Sequence, residues 1–172
     1  MKFFFKNIIF FFIFISVSEA NNNVKFIDIN FIVNNSISGK NLNEIIEKKN
    51  KKVVSELNKI RDKLKIKKDK IVAQKNVLKK DELENILKQY EKEVKDFNAI
   101  KKKKTDEFNS FSINSKKKII DLLNPLIANY LEKESIQILL QKDKIIFGND
   151  KLNITKVILE LFDDKYKKIK FE

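Results

Sequence analysis

Two hydrophobic ladders mirror each other about residues 79–82, and together they leave few folds open. The first reads Leu42, Ile46, Asn50, Val53, Leu57, Ile60, Leu64, Lys67, Ile71, Gln74, Leu78. After the opening step its spacings alternate between three and four. The second reads Leu83, Leu87, Tyr90, Val94, Phe97, Lys101, Lys104, Phe108, Phe111, Ser115, Lys118 (or Ile119), Leu122. A 3,4 repeat puts one seam along each helix and predicts coiled-coil packing. Folding the chain back at the midpoint pairs Leu78 with Leu83, Ile71 with Tyr90, and Leu64 with Phe97. The polar interruptions then fall opposite apolar residues: Asn50 faces Phe111, Lys67 faces Val94, Gln74 faces Leu87, and Lys101 and Lys104 face Ile60 and Leu57. This dovetailing predicts one antiparallel helical hairpin. A helix of about 40 residues is roughly 60 Å long, so such an arm cannot be globular. It is shaped to reach, clamp or enclose.

The N-terminus reads as an export signal. Lys2 and Lys6 form a basic region, Asn7 to Val17 an apolar run, and Ser18-Glu19-Ala20 a small-residue cleavage site. The run is shorter than the ~20 residues that span a bilayer. Residues 1–20 are therefore expected to be a signal peptide cleaved near Ala20. The alternative is an uncleaved anchor.

Composition narrows the chemistry. The chain has 172 residues and contains no Cys, His or Trp, two Gly and one Pro. Scarce Gly and Pro mean few tight turns and mostly helix. Without His or Cys, the usual nucleophile–base pairs and the commonest metal ligands are missing. The expected chemistry is binding, with no enzyme activity, no cofactor and no metal. Removing residues 1–20 takes away Lys2, Lys6 and Glu19 and leaves a net charge of +12. A basic exported rod can meet nucleic acid, anionic lipid or acidic polypeptide. Equally, the Lys residues can serve only to solvate helix faces.

The remaining segments are organised around the hairpin. Val24 to Phe31 reads as a strand. One of Asn34, Asn35, Ser36 and Ser38 is expected to cap the first long helix. A turn at Lys79-Lys80 leads into Asp81 and Glu84, which resemble a capping box. The second helix should pass Leu122 and kink or break at Pro125. Ile136–Leu140 and Lys144–Phe147 read as a β-hairpin joined by Gln141-Lys142-Asp143. Asn153 or Thr155 should cap a last helix bearing Val157, Ile158, Leu161 and Phe162, and Lys165–Glu172 should be a frayed basic tail. The resulting division is 1–20 signal peptide, 21–37 body strand and helix lead-in, 38–124 helical arm, 125–164 body, and 165–172 basic tail.

The strands imply assembly. Phe26, Ile27, Ile29, Phe31, Ile138, Leu140, Ile145 and Phe147 are too many apolar residues for a three-stranded sheet with one wet face. Small sheets with open edges are marginal alone. Joining the bodies of several chains would bury edges and faces together.

Val24–Ile29, the Asn34–Lys40 stretch opening a long helix, Gln74–Leu78 near the turn, Leu123–Pro125, and Leu152–Thr155 before a final helix occur in one order around a single long hairpin. This arrangement resembles the Skp/OmpH family of periplasmic chaperones over essentially all of the chain after residue 20. The resemblance implies an α+β, mostly α fold: a long antiparallel helical hairpin projecting from a small β-body that trimerises. It implies arms around a cavity and an ATP-independent periplasmic holdase for unfolded outer-membrane β-barrel proteins.

Candidate contacts for clients or anionic surfaces are Lys63, Lys65, Lys67, Lys68, Lys70, Lys75, Lys79 and Lys80 near the tip, with Lys101 and Lys104 at mid-arm. Their alternative role is solvation and snorkelling over the seam. Possible further partners are an anionic membrane or lipopolysaccharide; nucleic acid is not expected. Two other functions stay open: a structural coiled-coil adaptor of the cell envelope, and a polyanion or lipopolysaccharide binder whose affinity would fall steeply with salt.

Overall fold

The structure, a computed structural model, describes residues 24–171, so the expected signal peptide lies outside the described residues. The elements are β1 (Val24–Ile27), α1 (Ile29–Asn35), α2 (Ile37–Gln74), α3 (Lys80–Lys133), β2 (Ile138–Gln141) and α4 (Thr155–Lys165). Short 3-10 turns lie at Lys142–Lys144 and Asp150–Leu152. No helix among the described residues is long and apolar enough to cross a membrane.

The helices α2 and α3 form the antiparallel hairpin that the ladders require. Leu42, Val53, Leu57, Ile60, Leu64, Lys67 and Ile71 are buried or half-buried along α2, while Asn50 and Gln74 are exposed. The expected register holds. Leu64 and Phe97 line one groove, and the Lys67 ammonium meets Glu93 across the seam at 2.6 Å. Near the tip the seam shifts by one residue. Ile86 is half-buried while Leu87 is 40% exposed.

The hairpin connection is Lys75–Lys79, not a tight turn at Lys79-Lys80. Lys79 precedes the helix with no side-chain cap. Asp81 therefore lies inside the first turn and cannot close the expected capping box with Glu84. Asp81 and Glu82 instead sit near the helix N-terminus, where negative charge is favoured.

Pro125 does not end α3, which continues to Lys133. Pro125 and Asp121, whose carbonyl loses its bond, are both exposed to water. Leu123 and Ile127 on either side are held in the core at 0% and 8% exposure. The helix closes in a Schellman motif: the Ile136 N–H donates to the Leu131 carbonyl at 2.9 Å and the Ser135 N–H to the Glu132 carbonyl at 3.2 Å. Ser135 takes the left-handed φ of 53° that the motif needs.

The body differs from expectation at three places. The first strand stops at Ile27, because the Asp28 carboxylate accepts from the Phe31 N–H at 2.8 Å and starts α1. The Asp28 N–H in turn donates to the Thr155 hydroxyl at 2.8 Å, tying the chain start to α4. The second difference is the pairing of β2, which runs parallel to β1, with Val24 opposite Ile138 and Phe26 opposite Leu140. The expected hairpin between Ile136–Leu140 and Lys144–Phe147 is absent. Its linker offers no Gly or Asn for the left-handed residues of a tight β-turn; it winds into a 3-10 turn in which the Ile145 N–H donates to the Lys142 carbonyl. Thirdly, the C-terminal tail does not fray. Ile169 is 9% exposed, and the Lys118 ammonium donates to the Lys170 carbonyl at 2.9 Å.

Among the four candidates, Ser36 caps α2, accepting from the Gly39 N–H at 3.0 Å. Its extended backbone turns the chain between α1 and α2. Gly39 is required there, since a Cβ would sit 2.0 Å from the Val33 carbonyl oxygen. Neither Asn153 nor Thr155 caps α4: Ile154 holds the cap position without a side-chain hydrogen bond, and Asn153, one residue earlier, accepts from the Thr155 N–H at 3.0 Å.

These elements close over a core of Ile27, Ile32, Leu42, Ile119, Leu123, Ile158 and Phe162, each at most 2% exposed. Burying such a side chain stabilises by about 1.5–3 kcal/mol. The core thus sits at the root of the arm, and each long helix leaves it as a cantilever.

The register predicts that a Leu64→Cys, Phe97→Cys double variant will crosslink within one chain on mild oxidation, since a disulfide requires Cα atoms within about 7 Å. Failure of this pair, together with crosslinking of a pair offset by one heptad, would contradict the register.

Candidate functional site: the helical arm

The arm's chemistry comes from how a narrow seam meets a lysine-rich surface. Because Asn50, Lys67, Gln74, Lys101 and Lys104 interrupt the ladders, the two helices do not seal along their length. Two open grooves result. The one nearer the body is floored by Val53, Phe108 and Phe111 and edged by Lys49, Lys52, Glu56, Lys104 and Glu107. The outer one is floored by Ile60, Leu64, Phe97 and Ile100 and edged by Lys63, Lys67, Glu93 and Asp96. Their volumes are about 240 and 300 Å³. That is at or below the low end for small-molecule sites.

Each groove carries one ion pair that spans the hairpin. In the inner groove the Lys104 ammonium meets Glu56 at 2.5 Å, and in the outer groove Lys67 meets Glu93. The hydrogen bond and charge of Lys104 hold the Glu56 carboxyl below the usual carboxylate range, and Glu56 holds Lys104 above the usual lysine range. A depressed carboxylate contributes stability above its unfolded pKa. That contribution is lost only as the pH falls through the folded value, below about 4.5. The clasp is therefore intact at neutral pH. In the inner groove the Lys49 ammonium also lies over the Phe111 ring, 4.2 Å from its centroid.

The ten lysines singled out in the sequence do not form one patch. Lys67 and Lys104 are half-buried in the two ion pairs. Lys63 edges the outer groove and is exposed. Lys65, Lys68, Lys70, Lys75, Lys79, Lys80 and Lys101 are exposed along the arm. Lys59 to Lys80 carries ten Lys or Arg against two Asp, whereas Asp81 to Asp96 carries six acidic residues against three Lys. The outer arm is thus basic on α2 and acidic on α3, an asymmetry that also draws the helices together. The ladders did not reveal Glu56, Glu93 and Lys49. The signal available was charge at positions flanking the seam, taken pairwise across the fold-back.

The apolar residues expected in a shared body divide into two groups. Phe26 and Ile27 are buried within the chain itself, at 7% and 2% exposure, and Ile29 packs partly against the same core. Phe31, Ile138 and Leu140 are 43–51% exposed, Phe147 is 93% exposed and Ile145 half-buried. Ile146, absent from the expected set, is 89% exposed beside Phe147. Among the described residues β2 pairs only with β1, so its other edge is unpaired. No group of three or more described residues is placed to hold a metal ion.

The comparisons agree with this architecture. A crystal structure of a candidate outer membrane chaperone (OmpH-like) from Caulobacter crescentus superposes with a TM-score of 0.77 at 18% identity. The match covers 89% of this chain and 90% of that one, which shows a shared fold. No curated protein matches the sequence at a significant level. The family model described as outer membrane protein (OmpH-like) matches residues 23–162, and this chain therefore belongs to the OmpH-like family.

Proposed function

We propose that this chain is an ATP-independent periplasmic holdase, which binds unfolded outer-membrane β-barrel proteins and keeps them from aggregating. The observation that carries the reading is the cantilevered arm: two open apolar grooves and a lysine-rich surface, held away from a body that supplies most of the buried packing. Many weak contacts of this kind hold a chain without selecting one conformation. Family membership and the description of the Caulobacter relative support the same role. The export signal read in residues 1–20 supports a periplasmic location.

The working form in this reading is a homotrimer. Its support is the exposure of Phe31, Ile138, Leu140, Ile146 and Phe147, together with the open edge of β2. Exposed apolar patches and unpaired strand edges mark association surfaces. Phe26 and Ile27 serve the body of each chain; the exposed residues serve the contacts between chains. The exposed lysines, Lys63, Lys65, Lys68, Lys70, Lys75, Lys79, Lys80 and Lys101, steer acidic clients, an attraction that acts mainly on association rate and weakens with salt. Anionic membrane or lipopolysaccharide would be attracted by the same residues.

Two experiments test the reading. Ile138→Asp or Phe147→Asp should abolish the trimer mass in sedimentation while most of the helical signal remains, because an unpaired carboxylate at a closed apolar contact costs several kcal/mol. A parent protein that sediments as a monomer would refute the assembly. Deleting Lys67 to Val94 should leave a folded body that no longer suppresses light scattering when an unfolded β-barrel protein is diluted from urea. Equal suppression by the shortened protein would move the adaptor reading ahead.

A further inference from the structure

The two grooves repeat each other at a fixed interval of eleven residues, on both helices at once. Val53 and Phe108 floor the inner groove; Leu64 and Phe97 floor the outer. Glu56 and Lys104 clasp the inner; Lys67 and Glu93 clasp the outer with the charges exchanged. Phe111 is matched by Ile100, and Lys49 by Ile60. Eleven residues make just over three whole helical turns, so both grooves open on the same face of the arm. Their separation along it is about 16 Å.

A repeated site on one face suits a polymeric ligand. Each groove is an open trough with room for a bulky side chain. An extended polypeptide rises about 3.3 Å per residue and points successive side chains to opposite faces, so side chains that share a face span about 13 Å at four residues and about 20 Å at six, bracketing the 16 Å separation. The inner rim adds a charge preference. With Lys104 paired to Glu56, Lys49 and Lys52 remain against Glu107. The outer rim carries two lysines and two acids and is balanced.

We propose that the two grooves are paired sockets for an extended, unfolded polypeptide: two bulky apolar side chains four or six residues apart, with an acidic residue beside the one in the inner groove. This rests on the holdase reading and gives it a sequence preference. A second copy's arm is the competing occupant.

The test uses the full-length protein and fluorescent Ser/Gly peptides followed by anisotropy. Two peptides carry two Phe, four or six residues apart, with an Asp beside one of them. A third carries the two Phe only two apart, and a fourth a single Phe. The better of the four- and six-residue spacings should bind about tenfold more tightly than either control, because only it engages both sockets. Ile100→Asp in the outer groove and Lys49→Glu in the inner are both surface changes. Each should reduce that peptide to the level of the single-Phe peptide. Equal binding at every spacing, or parental binding by both variants, overturns the sockets. In that case, continued capture of an unfolded β-barrel protein would show the holdase reading standing without them. Absence of peptide binding, with a lower sedimentation mass for Ile100→Asp, would assign the grooves to a second copy and also overturn the proposal.

Discussion

Everything distal in this molecule depends on the packing of Leu42 against Ile119 and Leu123 where the two long helices enter the body. Beyond that point each helix has one partner only, and the seam is interrupted by polar side chains at Asn50, Lys67, Gln74, Lys101 and Lys104. An isolated two-helix arm with so thin a seam draws its stability from its root. The root is overdetermined: the Ser36 corner, the close approach at Gly39, the docking of α4 through Ile158 and Phe162, and the C-terminal residues that lie back against α3 all converge there. A chain without cysteines can in this way support two helices of 38 and 54 residues.

The polar interruptions cost stability, and the compensation is local. Lys67 and Lys104 would be costly in a sealed seam. Here each reaches an acid on the opposite helix, and its aliphatic stem covers apolar surface. Exposed ion pairs are individually worth little, so these pairs act more on register than on stability. What they leave between the helices is open apolar surface. A uniform Leu seam would give a stiffer arm with nothing to offer a ligand.

The arm was legible because its signal is long and periodic. Both ladders, their register and the Leu64–Phe97 layer could be read directly from spacing. The body was less legible because its elements are four to eleven residues long and tertiary contacts decide them. Val24–Phe31 is rich in β-branched and aromatic residues, yet Asp28 splits it by capping α1. The parallel pairing of β1 with β2 joins residues more than a hundred positions apart and leaves no local mark. Pro125 looked like a helix end but faces water, where its missing N–H does little harm. The tail residues looked like a charged overhang, yet Ile169 finds the core. The groove partners Glu56 and Glu93 were hidden for a similar reason: a charge beside a seam gains meaning only once the opposite helix is in place.

The central claim is that the arm, not the body, holds an unfolded chain. Hydrogen exchange of the full-length protein, free and with an unfolded β-barrel protein bound, tests it most directly. Protection in the free protein should be greatest around Leu42, Ile119, Leu123 and Phe162 and fall towards Lys75–Lys79, because stability is unevenly distributed in such a structure. Bound client should then slow exchange in α2 around Val53–Leu64 and in α3 around Phe97–Phe111, with β1, β2 and α4 unchanged. Added protection confined to the body, or no change along the arm, would contradict the account.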